Sequence, residues 1–456
     1  MQLLLQLGQI FLYTYMAALV SPILWIVIFL VYLQYKRAAA MEQRFFGRVI
    51  NPIKKQMISS LGLGLLAGFL ASLVLILLGL SLEQIGLYFI WPVALVMLFI
   101  NPRYLCFSYA GGIVALTAIL FRSIVVPLIP AVAANPLVEA LLKIHIPALL
   151  GLIGLLHFME ALLIYIGGHR GCSPLYYKHP QGDVVGGFSL QRFWPLPLVA
   201  LLVTVILQTD QVGVDMPGWW PVIKSVVQPG FGEILQYMAV PVAAGLGYGD
   251  LALSSTPREK SIASAKALAL YSIVLLGVAV AAEFYPLLTL PGVLLAPLGH
   301  ELLIVRGNRR ELTRRPLYRP EEEGAAVMMV IPGSPADQAG LRDGDRILKM
   351  NGMPVHGCRD LLEGLEQSYF MVLLEGRRNA EEDFSAVLKK QQPAGAPPVS
   401  LSRQPPPESR SPAYSALHRC AAQGLILAPS ARMPVYVETR RTSPLRGLCR
   451  FLKGKP

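Results

Sequence analysis

Four ionisable side chains interrupt stretches that are otherwise apolar: His157 and Glu160 in one, His300 and Glu301 near the end of another. Charged or titratable groups are expensive to bury in lipid, so each is a functional candidate by default. His157 and Glu160 are three residues apart and share a helix face. The run Gly299-His300-Glu301-Leu302-Leu303-Ile304 opens like HExxH, which sets two imidazoles one helical turn apart on a zinc ion with a glutamate as base. Position 304 is Ile, so the second imidazole is missing, and no later Asp-Gly motif in an apolar stretch supplies a third ligand. A split metal set of His157, Glu160, His300 and Glu301 is the weaker alternative. The simpler reading is hydrogen bonding between helices, with His300-Glu301 at headgroup level. Gly167-Gly168 and Gly186-Gly187 flank the loop 172–192, but the pattern is neither GxGxxG nor a Walker loop. That loop is expected to dock on its neighbours rather than cradle phosphate.

These residues need elements to hold them, and the sequence supplies apolar stretches on the scale of a bilayer. A hydrocarbon core about 30 Å thick takes about 20 helical residues. Stretches that reach or approach that length are 10–33, 57–80, 85–100, 104–121, 146–166, 193–207, 234–253, 266–282 and 284–305. Nine helical spans are expected, with eight the close alternative, since the third and sixth are short. The stretch 123–142, broken by Pro127, Pro130 and Pro136, reads as a re-entrant or interfacial piece. The N-terminus has no charge before Lys36, so it lacks the basic region of a cleavable signal and is expected as a retained first span.

Charge divides the chain at about residue 304. Residues 1–304 hold 16 of the 40 Lys/Arg and 12 of the 28 Asp/Glu, far below the roughly 25% charge of soluble domains. Residues 305–456 hold the other 24 and 16 and match that figure. A single soluble globular protein is excluded. So is a nucleic-acid binder inferred from the net charge of +12, because much of the surplus flanks apolar spans. With nine spans, one side of the membrane carries 19 Lys/Arg and the other three, which places the C-terminal region in the cytoplasm. Five cysteines without a CxxC pair suggest neither a disulfide framework nor a zinc ribbon.

The polar half begins with six Arg in 305–319 and continues into a small mixed domain. The run 326–331 reads as a strand ending at Pro332-Gly333. Ser334-Pro335-Ala336-Asp337 opens a short helix with a cap, a first-turn proline and a third-position acid, and Gly340 closes it. Gly344-Asp345 leads into a strand over 346–350, and Asn351-Gly352 predicts a tight hairpin turn. Leu361, Leu362 and Leu365 recur at helical spacing, and strands are expected over 369–374 and 383–388. This order, with its GSPA, AGL, GD and NG signals, resembles a bacterial PDZ domain over about 75 residues. The resemblance implies peptide binding by strand addition beside the second helix. It puts the groove strand and carboxylate loop near 314–318, with Arg315, Leu317 and Tyr318 on one side and Leu361, Leu362 and Leu365 as the helix wall. The run Arg314-Arg315-Pro316-Leu317-Tyr318 departs from the usual Gly-aromatic-Gly-aliphatic form. The expected organisation is a polytopic α-helical membrane domain over 1–305, a juxtamembrane linker with the first strand or loop over 306–323, a small α+β PDZ domain over 324–390, and a disordered basic tail over 391–456. The tail holds 11 prolines and 10 Lys/Arg against 2 Glu, a composition that favours disorder and attraction to anionic lipid.

Spans followed by a PDZ domain also resemble MinJ-like division-site membrane proteins of Gram-positive bacteria. The likeness rests on Ser173-Pro174-Leu175, on the run from Gly187 to Trp194 with Pro195-Leu196-Pro197-Leu198, on Trp219-Trp220-Pro221-Val222, on Phe284-Tyr285 and on Gly299-His300-Glu301. It implies a membrane-anchored adaptor or scaffold without catalysis or cofactor, acting in cell division-site selection. Its implied partners, besides the membrane lipid bilayer, are a DivIVA-like polar or septal scaffold and a MinD-like ATPase of the Min inhibitor system, with no nucleic acid. Its implied location is the bacterial cell membrane, multi-pass, enriched at septum and poles. The alternative of another class is a site-2-type intramembrane metalloprotease, which also joins spans to a PDZ domain. The missing second histidine argues against it. A transporter would show a repeat of broken helices in two halves, and the sequence has none.

Overall fold

Proline and glycine spacing decides which apolar stretches are helices. In a computed structural model the described residues are 2–104, 106–208, 214–225, 227–320, 323–368, 370–378, 382–389 and 418–429. The chain starts with α1 (Gln2–Val20) and α2 (Pro22–Phe46), divided at Ser21, where Pro22 occupies the first-turn position that tolerates it. Then come α3 (Ile53–Leu78), α4 (Leu87–Ile100) and α5 (Phe107–Leu120), the last passing through a π-helical turn into α6 (Val126–Leu128). The proline-rich stretch after it breaks into short pieces that include α7 (Pro136–Leu142). The helix α8 (Ile146–Gly167) is the most enclosed, and α9 (Pro257–Phe284) and α10 (Thr289–Thr313) pack beside it. Among the described residues six helices are long and apolar enough to cross a membrane, while α1 and α4 are shorter apolar helices.

Two of the nine expected spans are strands, which corrects the count of eight or nine helices. The stretches 193–207 and 234–253 lie in β2 (Val184–Leu207) and β3 (Glu233–Ala252), paired antiparallel from Phe188↔Ala252 to Leu207↔Glu233. The strand β1 (Ser173–Lys178) pairs with the start of β2. The physical reason lies in residue spacing. Pro195 and Pro197 would each cost a helix interior about 3 kcal/mol, and Gly245, Gly247 and Gly249 alternate at period two rather than following a helical period.

Beyond Ser189 the strand β1 has ended, so one edge of β2 runs along α3 without a partner strand until Leu201, which bridges to Ser81 and accepts the Leu82 N–H at 2.9 Å. In an apolar setting each unpaired backbone group costs several kcal/mol, which makes that edge a problem to be solved. Four residues solve it, two apart along the strand. The Phe193 N–H donates to the Tyr35 hydroxyl at 3.1 Å, and the Val199 N–H donates to Ser72 Oγ at 2.8 Å. Pro195 and Pro197 have no N–H to satisfy. On the helix, Ser60, Gly64, Gly68 and Ser72 are four apart. Ser60 hydrogen-bonds the Tyr35 hydroxyl at 2.6 Å, and a Cβ on Gly64 or Gly68 would collide with the carbonyl oxygen of Pro195 or Pro197. Four helical residues rise about 6 Å and two strand residues about 6.6 Å, so the two periods run in step.

The small domain follows the expected order. A sheet forms from β4 (Ala325–Val330), β5 (Arg346–Met350), β6 (Met353–Pro354), β7 (Met371–Arg378) and β8 (Glu382–Lys389), with α11 (Pro335–Gln338) and α12 (Cys358–Gln367) between strands. Ser334 Oγ accepts the Asp337 N–H at 3.3 Å, and Asn351 and Gly352 both have positive φ, as a type I′ turn requires. Asp345, fully buried, takes a two-point contact from Arg378, with both N–O distances 2.9 Å.

The tail departs from the expected disorder. Residues 418–422 form a helical turn, and β9 (Leu425–Leu427) adds to the sheet beside β4, giving the order β8-β7-β5-β4-β9. Its three residues are apolar and 1–2% exposed, so burial supports a strand that composition hides. The rest of the expected tail lies outside the described residues.

Candidate functional site

The ionisable groups of the bundle meet where α5, α8 and α10 come together. Adjacent glycines allow this approach: Gly111 faces Ile153 and Leu149 of α8, while Gly112 faces Pro297 of α10. Cys106, the N-cap of α5, is thereby set beside His157 of α8, with Sγ 3.2 Å from Nε2. The rings of His157 and His300 stand edge to face with centroids 5.0 Å apart. Ligand atoms of Cys106, His157 and His300 all lie within 4.8 Å of one another. Tyr271 borders both histidine rings, and its hydroxyl is held by Ser108 at 2.9 Å and by the Ala296 carbonyl at 2.7 Å.

The two histidines expected in a split set are therefore neighbours. Glu301 is not with them: its carboxylate is paired with Arg103 and accepts the Tyr109 hydroxyl at 2.6 Å. Consecutive residues on a helix point about 100° apart, which separates Glu301 from His300. Glu160 lies three residues beyond His157 on the same face of α8, but among the described residues the ligand atoms that converge are those of Cys106, His157 and His300. Cys106 escaped the sequence reading because a lone cysteine 51 residues from the nearest histidine of the set carries no spacing signal.

A second candidate is the edge of the small sheet. The strand beside β4 is β9 from the tail, not 314–318, so the expected place of the groove strand is corrected. Gly424, with φ +87°, turns the chain into β9; its carbonyl accepts the Ile331 N–H at 2.9 Å, and the Gln423 carbonyl accepts the Ala336 N–H at 3.1 Å. The run Gln423-Gly424-Leu425-Ile426-Leu427 is a glycine–aliphatic signal that sequence reading passed over inside a proline-rich tail. On the far side of β9, Tyr176 of β1 donates its hydroxyl to the Leu427 carbonyl at 2.9 Å. Arg48 reaches the Ala421 carbonyl at 3.1 Å, and Gly47 faces His418. The tail segment thus lies between the small domain and the membrane domain. Burial holds the His418 imidazole below its ordinary pKa.

The residues expected to line a groove fall in two places. Leu361 and Leu365 are buried in the core of the small domain, and the side chain of Leu362 lies outside the described residues. Leu317 and Tyr318 run along the β1–β2–β3 sheet, with the Leu317 N–H on the Leu253 carbonyl at 2.9 Å and the Gly186 N–H on the Tyr318 carbonyl at 2.6 Å. Gly186 is needed there, because a Cβ would strike Met328 of β4 and Tyr318. Burial pushes the Tyr318 phenol up to about 12. Arg315 is exposed next to this contact.

Comparison with known proteins agrees with both halves. Residues 327–367 match the family model of the PDZ domain. The chain is 25% identical over 229 residues to the cell division topological determinant MinJ of Bacillus subtilis, covering 50% of this chain and 54% of that protein. It is 42% identical over 53 residues to the putative serine protease HhoA of Synechocystis, 12% of this chain and 14% of that one. It is 48% identical over 42 residues to the putative protease Do-like 14 of Arabidopsis thaliana, 9% of this chain and 10% of that one. The chain thus spans about half the length of MinJ and a small fraction of either protease. The protease likenesses cover only part of the PDZ region, whereas the MinJ likeness is several times longer. The chain is thus similar to MinJ over about half its length and carries a PDZ domain in its C-terminal region.

Proposed function

We propose that this protein is a membrane-anchored PDZ adaptor in division-site selection, without catalytic chemistry, that links a DivIVA-like scaffold to a MinD-like ATPase at the inner face of the cell membrane. The observation that carries this reading is the MinJ likeness, which extends over 229 residues and so well beyond the 41 residues of the PDZ match. The peptide-accepting edge in this proposal is the outer edge of β9, where an added strand would compete with Tyr176 for the Leu427 carbonyl. Anchoring by the spans keeps that edge at high effective concentration near other membrane-bound partners, so weak peptide contacts suffice. An intramembrane protease would need a free general base near its metal, and Glu301 is engaged by Arg103 and Tyr109.

A two-hybrid assay of the full chain against DivIVA-like and MinD-like proteins tests the partners. Contact with either is expected, and Ile426→Asp, which puts a charge in β9, is expected to abolish it. Deletion of the gene is expected to give misplaced septa or filaments. Normal septum placement in the deletion strain would overturn the division role.

A further inference from the structure

We propose that Cys106, His157 and His300 bind a zinc ion that ties α5, α8 and α10 together inside the bundle. Thiolate and imidazole are the donor types zinc favours, with Zn–S about 2.3 Å and Zn–N about 2.0–2.1 Å in a tetrahedron. Those lengths require donor atoms about 3.3–3.6 Å apart, and the Cys106 Sγ to His157 Nε2 distance is 3.2 Å. All three donors lie within 4.8 Å of one another, so small side-chain movements close them on a central ion.

The surroundings match those of a ligand set. His157 Nδ1 is 2.7 Å from the Ile153 carbonyl. A carbonyl can only accept, so Nδ1 carries the proton and Nε2 presents its lone pair toward Cys106. Metal-binding histidines are held in just this way by a hydrogen bond on the far nitrogen. His300 Nδ1 is buried and has no hydrogen-bond partner among the described residues, an uncompensated polar atom that ligation or a ring flip onto the ion would relieve. Glu160 stands three residues beyond His157 on the same face of α8. Three helices from distant parts of the chain supply the donors, so the ion would fix their mutual packing. This inference does not depend on the adaptor reading.

The test uses the full chain, purified in detergent without an affinity tag, after exposure to zinc and removal of excess. Elemental analysis should find about one zinc per chain, and X-ray absorption should show one sulfur and at least two nitrogen neighbours. Cys106→Ser and His300→Gln should each lose the metal. Cys106→His, which keeps three donors, should retain zinc but lose the sulfur neighbour, and this separates ligation from misfolding. A wild-type chain that is free of zinc after loading would overturn the proposal. So would zinc that persists unchanged in Cys106→Ser, or an absorption spectrum without sulfur.

Discussion

Ser72 shows how much one hydroxyl can do. Its oxygen donates to the Gly68 carbonyl at 2.6 Å and accepts the Val199 N–H, closing the last open donor on the α3-facing edge of β2 between Phe193 and Val199. Ser72→Ala leaves that N–H buried and unpaired, at a cost of about 1–3 kcal/mol. The expected readout is a lower thermal midpoint in detergent, with Ser72→Thr closer to wild type. Asp345 plays a comparable part in the PDZ domain, where Arg378 grips it from two sides and the carboxylate holds the guanidinium pKa above its ordinary value. Asp345→Ala removes the partner of a largely buried cation and is expected to destabilise the domain by about 3–5 kcal/mol. Faster amide exchange throughout β5 and β7 would report it. The turn residues around Asp345 were legible in the sequence because each satisfies a local backbone demand. Ser72 was not legible as an edge cap, since its partner lies 127 residues away.

At the level of elements, the same contrast between local and distant partners explains what could be read. Helix α11, the β5–β6 turn and strands β7 and β8 follow from neighbours in sequence. The β2–β3 hairpin was hidden because mean hydropathy over a window is the same for an apolar helix and an apolar strand, and only the alternating prolines and glycines mark the difference. Strand β9 was hidden because three apolar residues mean nothing until β4 is beside them. Its docking carries a pH prediction. His418 has its pKa lowered on burial, so it is neutral when docked. As pH falls below the ordinary imidazole range, near 6.5, the undocked tail gains a proton first. Docking stability is therefore complete above that range and declines below it. Protection of the Leu425–Leu427 amides, taken relative to the intrinsic exchange rate at each pH, is expected to fall between pH 7 and 5.5, and a His418→Gln chain should lose that dependence.

Over the whole molecule, the PDZ domain is held against the membrane domain at the same three places that bring the distant segments together: Tyr318 on Gly186, Met328 over Gly186, and the tail between Tyr176 and β4. Gly186→Leu places a side chain where Met328 and Tyr318 sit and is expected to release the domain. Trypsin should then cut after the exposed Arg314 at least severalfold faster than in wild type, while the spans stay folded. Division of the chain into a membrane half and a polar half was plain from charge alone. The docking between them was not, because its contacts join residues more than 100 positions apart and rest on glycines whose value is the absence of a side chain.

Strand β9 begins 95 residues after the end of its partner β4, beyond every helix of the membrane domain. During synthesis, then, all the spans have left the ribosome before the sheet edge exists. A nascent chain in the course of insertion therefore has no finished sheet edge, and the edge proposed to accept a peptide is completed only once translation has passed Leu427.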